Sequence, residues 1–421
     1  MKVKSIQLDA VWKKAALLVV PAVLLASSWF VMRWSVAGSA VQRVDTPELA
    51  VYLTNLGPDD PQTHSMAAIY LEKSFDEKDI ERALREMEIA ASLTPGNYAL
   101  WLDLGRARER SGDPQGAELA LRRSLALAPH YSRVQWALGN LLLRQDRIEE
   151  AFVEIRKAVS GDPAFAGPAA STAWQFFDGD VARIRAGMGS SVKFNAELAA
   201  LLAREKRFDE ALAIWSELPA AEKRTSLKEA GANLLAKFLE ARRFRNAASV
   251  SAELNDDGAK VSSVANGGFE SPVRPEGAGA FEWQLAYGLQ PQIVISTGQK
   301  HGGDKSLLLV FNAQDAKDFR TVSQTIAVAP GRMYELEFFY RAELKTSAVF
   351  KWEIIDAADS KPIAASEPTE AQAEWRRVVV RFKAPDQSDG VTIRLTRDGC
   401  GQVCAVTGNL WVEDFVLREA R

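Results

Sequence analysis

Histidine and cysteine are scarce in this 421-residue chain, and their scarcity excludes much chemistry. The three histidines, His64, His130 and His301, lie far apart, so no imidazole cluster for acid–base or metal work is announced. The sequence carries no triad signature of a histidine with an activated serine or cysteine, and no Gly-x-Ser-x-Gly elbow occurs. A glycine-rich phosphate loop is missing too: Gly96, Gly105 and Gly112 belong to a repeat described below. Excess charge of one sign is lacking, since 52 Lys and Arg against 55 Asp and Glu leave −3, which gives no basic footprint for nucleic acid. Carboxylates are plentiful, but glycosidase chemistry needs a deep pre-organised cleft. The chain is expected not to be an enzyme.

Long apolar runs are rare as well; there is one, Ala15 to Met32. Its eighteen residues span about 27 Å as a helix, close to the thickness of a bilayer core. Lys2, Lys4, Lys13 and Lys14 precede it and Arg33 follows, so the N-terminus is expected inside and the body outside. Residues 1–14 then read as a cytoplasmic N-terminus and 15–34 as a transmembrane anchor, with Trp29 and Trp34 at the interface. The other reading is a secretory signal cut after Ala40, where Gly38-Ser39-Ala40 offers small residues. Either one exports the body, and the anchor predicts a single-pass protein of the cytoplasmic membrane with its bulk in the periplasm or outside. In an oxidising compartment Cys400 and Cys404 read as a disulfide in preference to a metal or redox pair.

What is present is periodic. Pro95, Pro129 and Pro163 are 34 residues apart, as are Ala83, Ala117 and Ala151. Leu104-Gly105 returns as Leu138-Gly139, and Met87, Leu121 and Ile155 share one register. Such a period predicts pairs of antiparallel helices, with small residues where backbones approach and proline ending each second helix. Trp101, Leu104, Gly105, Ala117, Leu121, Ser124 and Pro129 follow in order, and on them the segment 62–163 resembles the tetratricopeptide repeats. Leu198 with Ala211 and Leu234 with Ala247 suggest two further pairs, so a helical array is expected over 45–255, with a break at 164–195. The resemblance implies a concave face that holds a partner peptide. By register that face would carry Glu72, Phe75, Arg106, Arg110, Trp136, Asn140 and Arg144, and its arginines suit an acidic or C-terminal peptide.

After the turn-rich stretch at 255–258 the period changes to two. Val322–Val328, Tyr334–Phe338, Val378–Phe382 and Val391–Leu395 alternate, each bounded by turn formers, which predicts an antiparallel sandwich. Landmarks follow in order: Asn266-Gly267-Gly268-Phe269-Glu270, Trp283, Gly302-Gly303-Asp304-Lys305-Ser306-Leu307, Trp375, and Glu413-Asp414 near the end. On these, residues 262–421 resemble the jelly-roll carbohydrate-binding modules with a galactose-binding-like fold. The resemblance implies a structural calcium held by Glu270 and Asp414, although Glu413-Asp414 stands where two aspartates are common. It also implies glycan binding on exposed aromatic faces, for which Tyr287 and Trp352 are the candidates, with Trp283 and Trp375 in the core.

The expected protein is multidomain: a transmembrane helix, an all-α tetratricopeptide-like solenoid, then an all-β jelly roll. Its expected function is a membrane-anchored extracytoplasmic scaffold, with repeats on a protein partner and the sandwich on a polysaccharide, in polysaccharide assembly or export. The alternatives are an envelope scaffold that binds only protein and an accessory subunit of a glycan-processing enzyme.

Overall fold

A computed structural model describes residues 11–41, 43–74, 76–255, 258–315, 319–398 and 403–420. The chain divides into two compact units, Met1–Phe194 and Asn195–Arg421. The first is helical: α1 (Val11–Val41), α2 (Pro47–Leu56), α3 (Pro61–Leu71), α4 (Glu77–Leu93), α5 (Tyr98–Arg110), α6 (Pro114–Leu127), α7 (Ser132–Arg144) and α8 (Ile148–Gly161). A 3-10 turn at Pro163–Phe165 precedes two short helices, α9 (Ala166–Phe176) and α10 (Val181–Met188), where the break in the repeat was expected.

The helix starts have local causes. Asp60, Asp76, Asn97 and Asp113 each accept a backbone N–H from the first turn that follows, which satisfies one of the orphan donors there. The repeat has a packing cause. A Cβ on Gly105 would stand 2.7 Å from Leu121 Cγ, and one on Gly139 would stand 2.7 Å from Ile155 Cγ1. Those two contacts are the same contact one period on, and only a residue without a side chain permits it. Ala83, Ala117 and Ala151 are buried beside them.

α1 is longer than the expected 15–34. It runs unbroken to Val41, and Leu18–Val41 is apolar and long enough to be a membrane span or a signal sequence. Its apolar side chains from Leu18 to Trp34 are exposed, whereas Ala37 and Val41 are buried.

One buried histidine ties α3 to α4. His64 is 5 % exposed, with Nδ1 2.6 Å from Glu86 Oε2 and Nε2 2.9 Å from the Pro58 carbonyl oxygen. Burial works against its charge, but the Glu86 carboxylate and the Pro58 carbonyl outweigh it and hold the pKa above the usual value. The stabilisation is therefore complete below the ordinary histidine range and disappears as pH rises through the higher folded value. Thermal melting of the chain should lose stability across that rise, and His64→Gln should flatten the profile. A wild-type profile already flat from about pH 6 to about pH 9 would contradict it.

The second unit opens with α11 (Val192–Arg204), α12 (Phe208–Ser216), α13 (Ala220–Lys223), α14 (Lys228–Glu240) and α15 (Phe244–Leu254). Ten strands follow: β1 (Gln284–Leu285), β2 (Gln292–Ser296), β3 (Ser306–Asp315), β4 (Val322–Ala327), β5 (Met333–Thr346), β6 (Val349–Asp356), β7 (Pro362–Ala365), β8 (Gln372–Lys383), β9 (Gly390–Asp398) and β10 (Val403–Glu419). They form two antiparallel sheets, ordered β1-β4-β9-β6-β7 and β2-β3-β10-β5-β8. Between the sheets Phe269, Trp283, Phe338, Trp352 and Phe415 make one aromatic cluster, with ring centroids 4.8–6.0 Å apart.

The compact units divide between Phe194 and Asn195, so α12 to α15 fall in the unit that holds the sandwich. α15 stays with the sandwich because the sandwich supplies its N-cap. Arg243 at the cap position offers no side-chain acceptor. Asp389, in the β8–β9 turn, accepts instead from Phe244 N at 2.8 Å and Arg245 N at 3.2 Å. The next residue, Gly390, lies so close to Phe244 that a Cβ would come within 2.3 Å of its ring.

Candidate functional site

The repeat face comes first. Arg110 of α5 pairs with Glu72 at the end of α3, and Arg144 of α7 pairs with Glu109 of α5. Arg106 lies 3.8 Å from Asp103 one turn earlier. The first two links cross from one helix pair to the next and put Glu72, Arg110 and Arg144 along one face, while the Arg106 link stays within α5. Trp136 stacks at a tilt on Phe165, centroids 5.3 Å apart, and Asn140 Nδ2 donates to the Trp136 carbonyl at 2.8 Å. Phe75 lies outside the described residues. The sequence did not disclose that each arginine meets a carboxylate. Glu72, Asp103 and Glu109 balance Arg106, Arg110 and Arg144, so the face carries no surplus positive charge. Burial raises the Asp103 carboxyl above its ordinary range, Arg106 pulls it back, and Glu72 adds to the rise.

The sandwich corrects one expectation. Trp352 is 1 % exposed, packed on Trp283, Phe338 and Phe415, and cannot touch a ligand. Strand parity is the reason. In β6, Phe350, Trp352 and Ile354 point inward, so Lys351 and Glu353 take the outer face. Trp283 is buried as expected, while Trp375 is only half-buried, with its ring edge toward His301. Tyr287 is fully exposed, in the loop after β1, where Ala286 N donates to the Thr321 carbonyl beside the start of β4.

Next to that loop the outer face of the first sheet holds a polar stripe that the sequence reading missed. The Thr325 and Thr392 hydroxyls are 2.9 Å apart across β4 and β9. Ser323 stands opposite Arg394, which in turn donates to Glu353 of β6 at 3.0 Å. Lys351 lies opposite Thr396 and pairs with Asp398 at 3.2 Å. The signal was present in the alternation of β4, β6 and β9, whose outward positions Ser323, Thr325, Lys351, Glu353, Thr392 and Arg394 are polar, with Ile355 the apolar exception opposite Thr392. Hydroxyls, a guanidinium and a carboxylate in a row are the groups that hydrogen-bond the hydroxyls of a pyranose.

A third group forms where Glu270 and Asp414 were expected to meet, and the fold brings them together. The Cβ position on Gly268 lies 3.6 Å from Asp414 Oδ1 and 3.9 Å from Glu270 Cγ, an open spot between two carboxylates. Phe269 and Asp414 both hold left-handed backbone, φ 56° and 54°. One oxygen of each carboxylate is engaged. Glu270 Oε1 accepts from Asp304 N and Lys305 N, and Asp414 Oδ2 lies 2.8 Å from His301 Nδ1. Glu413 is fully buried and accepts from His301 N and Gly302 N; burial pushes its carboxyl above the ordinary range against those two donors. Among the described residues no group of three or more His, Cys, Asp or Glu could hold a metal. Two carboxylates completed by carbonyl and water oxygens still fit a hard cation, although Lys305 Nζ already occupies the Glu270 carbonyl at 2.6 Å. The Cys400 and Cys404 side chains lie outside the described residues.

A polar cleft of about 700 Å³ lies within the second unit, lined by Asp209, Arg242, Arg243, Arg245, Asp386 and Asp389. Asp389 is held by the α15 N–H groups and Asp386 by Lys383 at 2.9 Å, so both have structural partners.

The comparisons identify two kinds of domain. The tetratricopeptide repeat model matches residues 75–132 and 102–166, and a carbohydrate binding domain model matches 261–398. The chain thus carries tetratricopeptide repeats in its N-terminal half and a carbohydrate-binding domain in its C-terminal part. Among solved structures it is similar to one titled "CBM4 structure and function" at 15 % identity, covering 38 % of this chain and all of that one, TM-score 0.29. It is similar to the CBM22-1–GH10 modules of a Clostridium thermocellum endo-1,4-beta-D-xylanase complexed with xylohexaose, at 15 % identity over 38 % of this chain and 29 % of that one, TM-score 0.28. A thermophilic tetratricopeptide repeat protein of Thermus thermophilus matches at 23 % identity over 28 % of this chain and 64 % of that one, TM-score 0.26. No curated protein matches the chain.

Proposed function

We propose that the chain is a membrane-tethered scaffold outside the cytoplasm that holds a protein partner on its repeats and a glycan on its sandwich, without catalysing a reaction. The observation that carries the glycan half is the polar stripe Thr325, Thr392, Arg394 and Glu353, together with the exposed Tyr287 in the loop after β1, on a domain matched by a carbohydrate-binding model. The repeat half rests on the shared face of α3, α5 and α7. Its ion pairs are half-exposed and each contributes about 0–1 kcal/mol, so a partner can exchange them at little cost. Balanced charge there favours a peptide of mixed charge with an apolar side chain for Trp136, in place of the strongly acidic one. The domain pairing supports polysaccharide assembly or export as the setting. Glu270 and Asp414 would hold a structural calcium, which would pin the Gly302-Gly303 loop against the last strand.

Residues 195–421 form one compact unit and suffice for the test. Titrated against a polysaccharide array with and without calcium, the unit should bind at least one glycan, and Arg394→Ala should weaken that binding about tenfold. Calcium should raise its melting temperature and Asp414→Ala should abolish that rise. A unit that binds no polysaccharide under either condition would leave the purely protein-binding scaffold as the function.

A further inference from the structure

α1 does more than cross or leave a membrane, because its far end is part of the first helical unit. Thirty-one residues at 1.5 Å each make about 46 Å, against about 30 Å of hydrocarbon, so roughly ten residues stand clear of the lipid. Up to Trp34 the apolar side chains are exposed, and Trp29 and Trp34 sit where an interfacial belt belongs. Beyond them the helix docks. The Arg33 guanidinium donates to the carbonyls of Asn55 and Leu56, orphan acceptors at the end of α2. Ala37 is fully buried, and its methyl lies 3.0 Å from where a Cβ on Gly57 would stand, so Gly57 is glycine to admit the helix.

Gly38-Ser39-Ala40, the small residues that would suit a signal peptidase, therefore lie inside a hydrogen-bonded helix between two buried residues, Ala37 and Val41. Cleavage there needs local unfolding, and it would strip Arg33 and Ala37 from α2. We propose that α1 is retained in the mature protein as a single strut, lipid-embedded at one end and built into the repeat array at the other, so that the bilayer is a fixed partner of the first helical layer. The proposal rests on the reading of α1 as a membrane span.

The full chain, expressed in bacteria and taken from membranes, is weighed intact and then followed by amide hydrogen exchange in detergent. The expected product keeps its N-terminal segment, and the amides of 36–41 and of the end of α2 are protected together. Arg33→Ala and Ala37→Glu should each speed exchange in both stretches about tenfold, while Val36→Leu, on the exposed side, leaves them alone. A mature chain beginning at Val41 overturns the proposal. A membrane-bound intact chain whose residues 36–41 exchange like a frayed helix end overturns the strut and spares the anchor. An intact chain found wholly in the soluble fraction sinks the membrane reading, and the strut with it.

Discussion

Trp352→Ala is expected to cost the second unit about 3–5 kcal/mol, because it empties the middle of the aromatic cluster between the sheets. Tyr287→Ala is expected to cost almost nothing in stability, since that ring is fully exposed and makes no core contact. In glycan binding the order reverses for a physical reason. Tyr287 offers an exposed stacking face in the loop after β1, so its loss should weaken affinity about tenfold at unchanged melting temperature. Any loss of binding in Trp352→Ala should instead track the unfolded fraction. Melting curves and titrations of both variants in the 195–421 unit separate the two. A Trp352→Ala unit that stays folded but no longer binds sugar would return that side chain to the ligand.

The second large effect belongs to the β8–β9 turn. Asp389→Ala removes both acceptors at the start of α15 and should destabilise the joint by about 1–2 kcal/mol. Gly390→Val is expected to do more, since its side chain would have to displace the Phe244 ring. The expected signature is a loss of cooperativity. The wild-type 195–421 unit should melt in one transition, and the Asp389→Ala variant should open first at α14–α15, with faster proteolysis in the segment 255–261. Identical protease sensitivity in the two would mean that α15 is held to the sandwich by something other than this cap.

These two sites mark where the sequence was hardest to read, in contrast to the repeat and the strands. The repeat was legible because one physical event, a second helix pressed on a glycine, recurs every 34 residues and leaves Gly105, Gly139 and their partners in phase. The sandwich was legible through alternation, and β4, β5, β8 and β9 contain the four runs that alternate. Trp352 was misassigned because its neighbours Phe350 and Ile354 set the inward parity, and a lone tryptophan does not reveal which side its strand buries. The cap on α15 could not be read at all. Its donor and acceptor lie 145 and 144 positions apart, and nothing in Asp389-Gly390 distinguishes a helix cap from an ordinary turn. Glu270 and Asp414 were paired by resemblance, and the buried Glu413 was passed over as a poor match for an aspartate.

The glycine contacts have a further consequence. Gly105 meets Leu121 and Gly139 meets Ile155, the same sixteen-position step each time. A stretch of one full period could be duplicated or excised between them and every surviving helix would still find its neighbour. Array length is thus a freely adjustable quantity in this protein, set by how far a partner must reach and by no requirement of the packing itself.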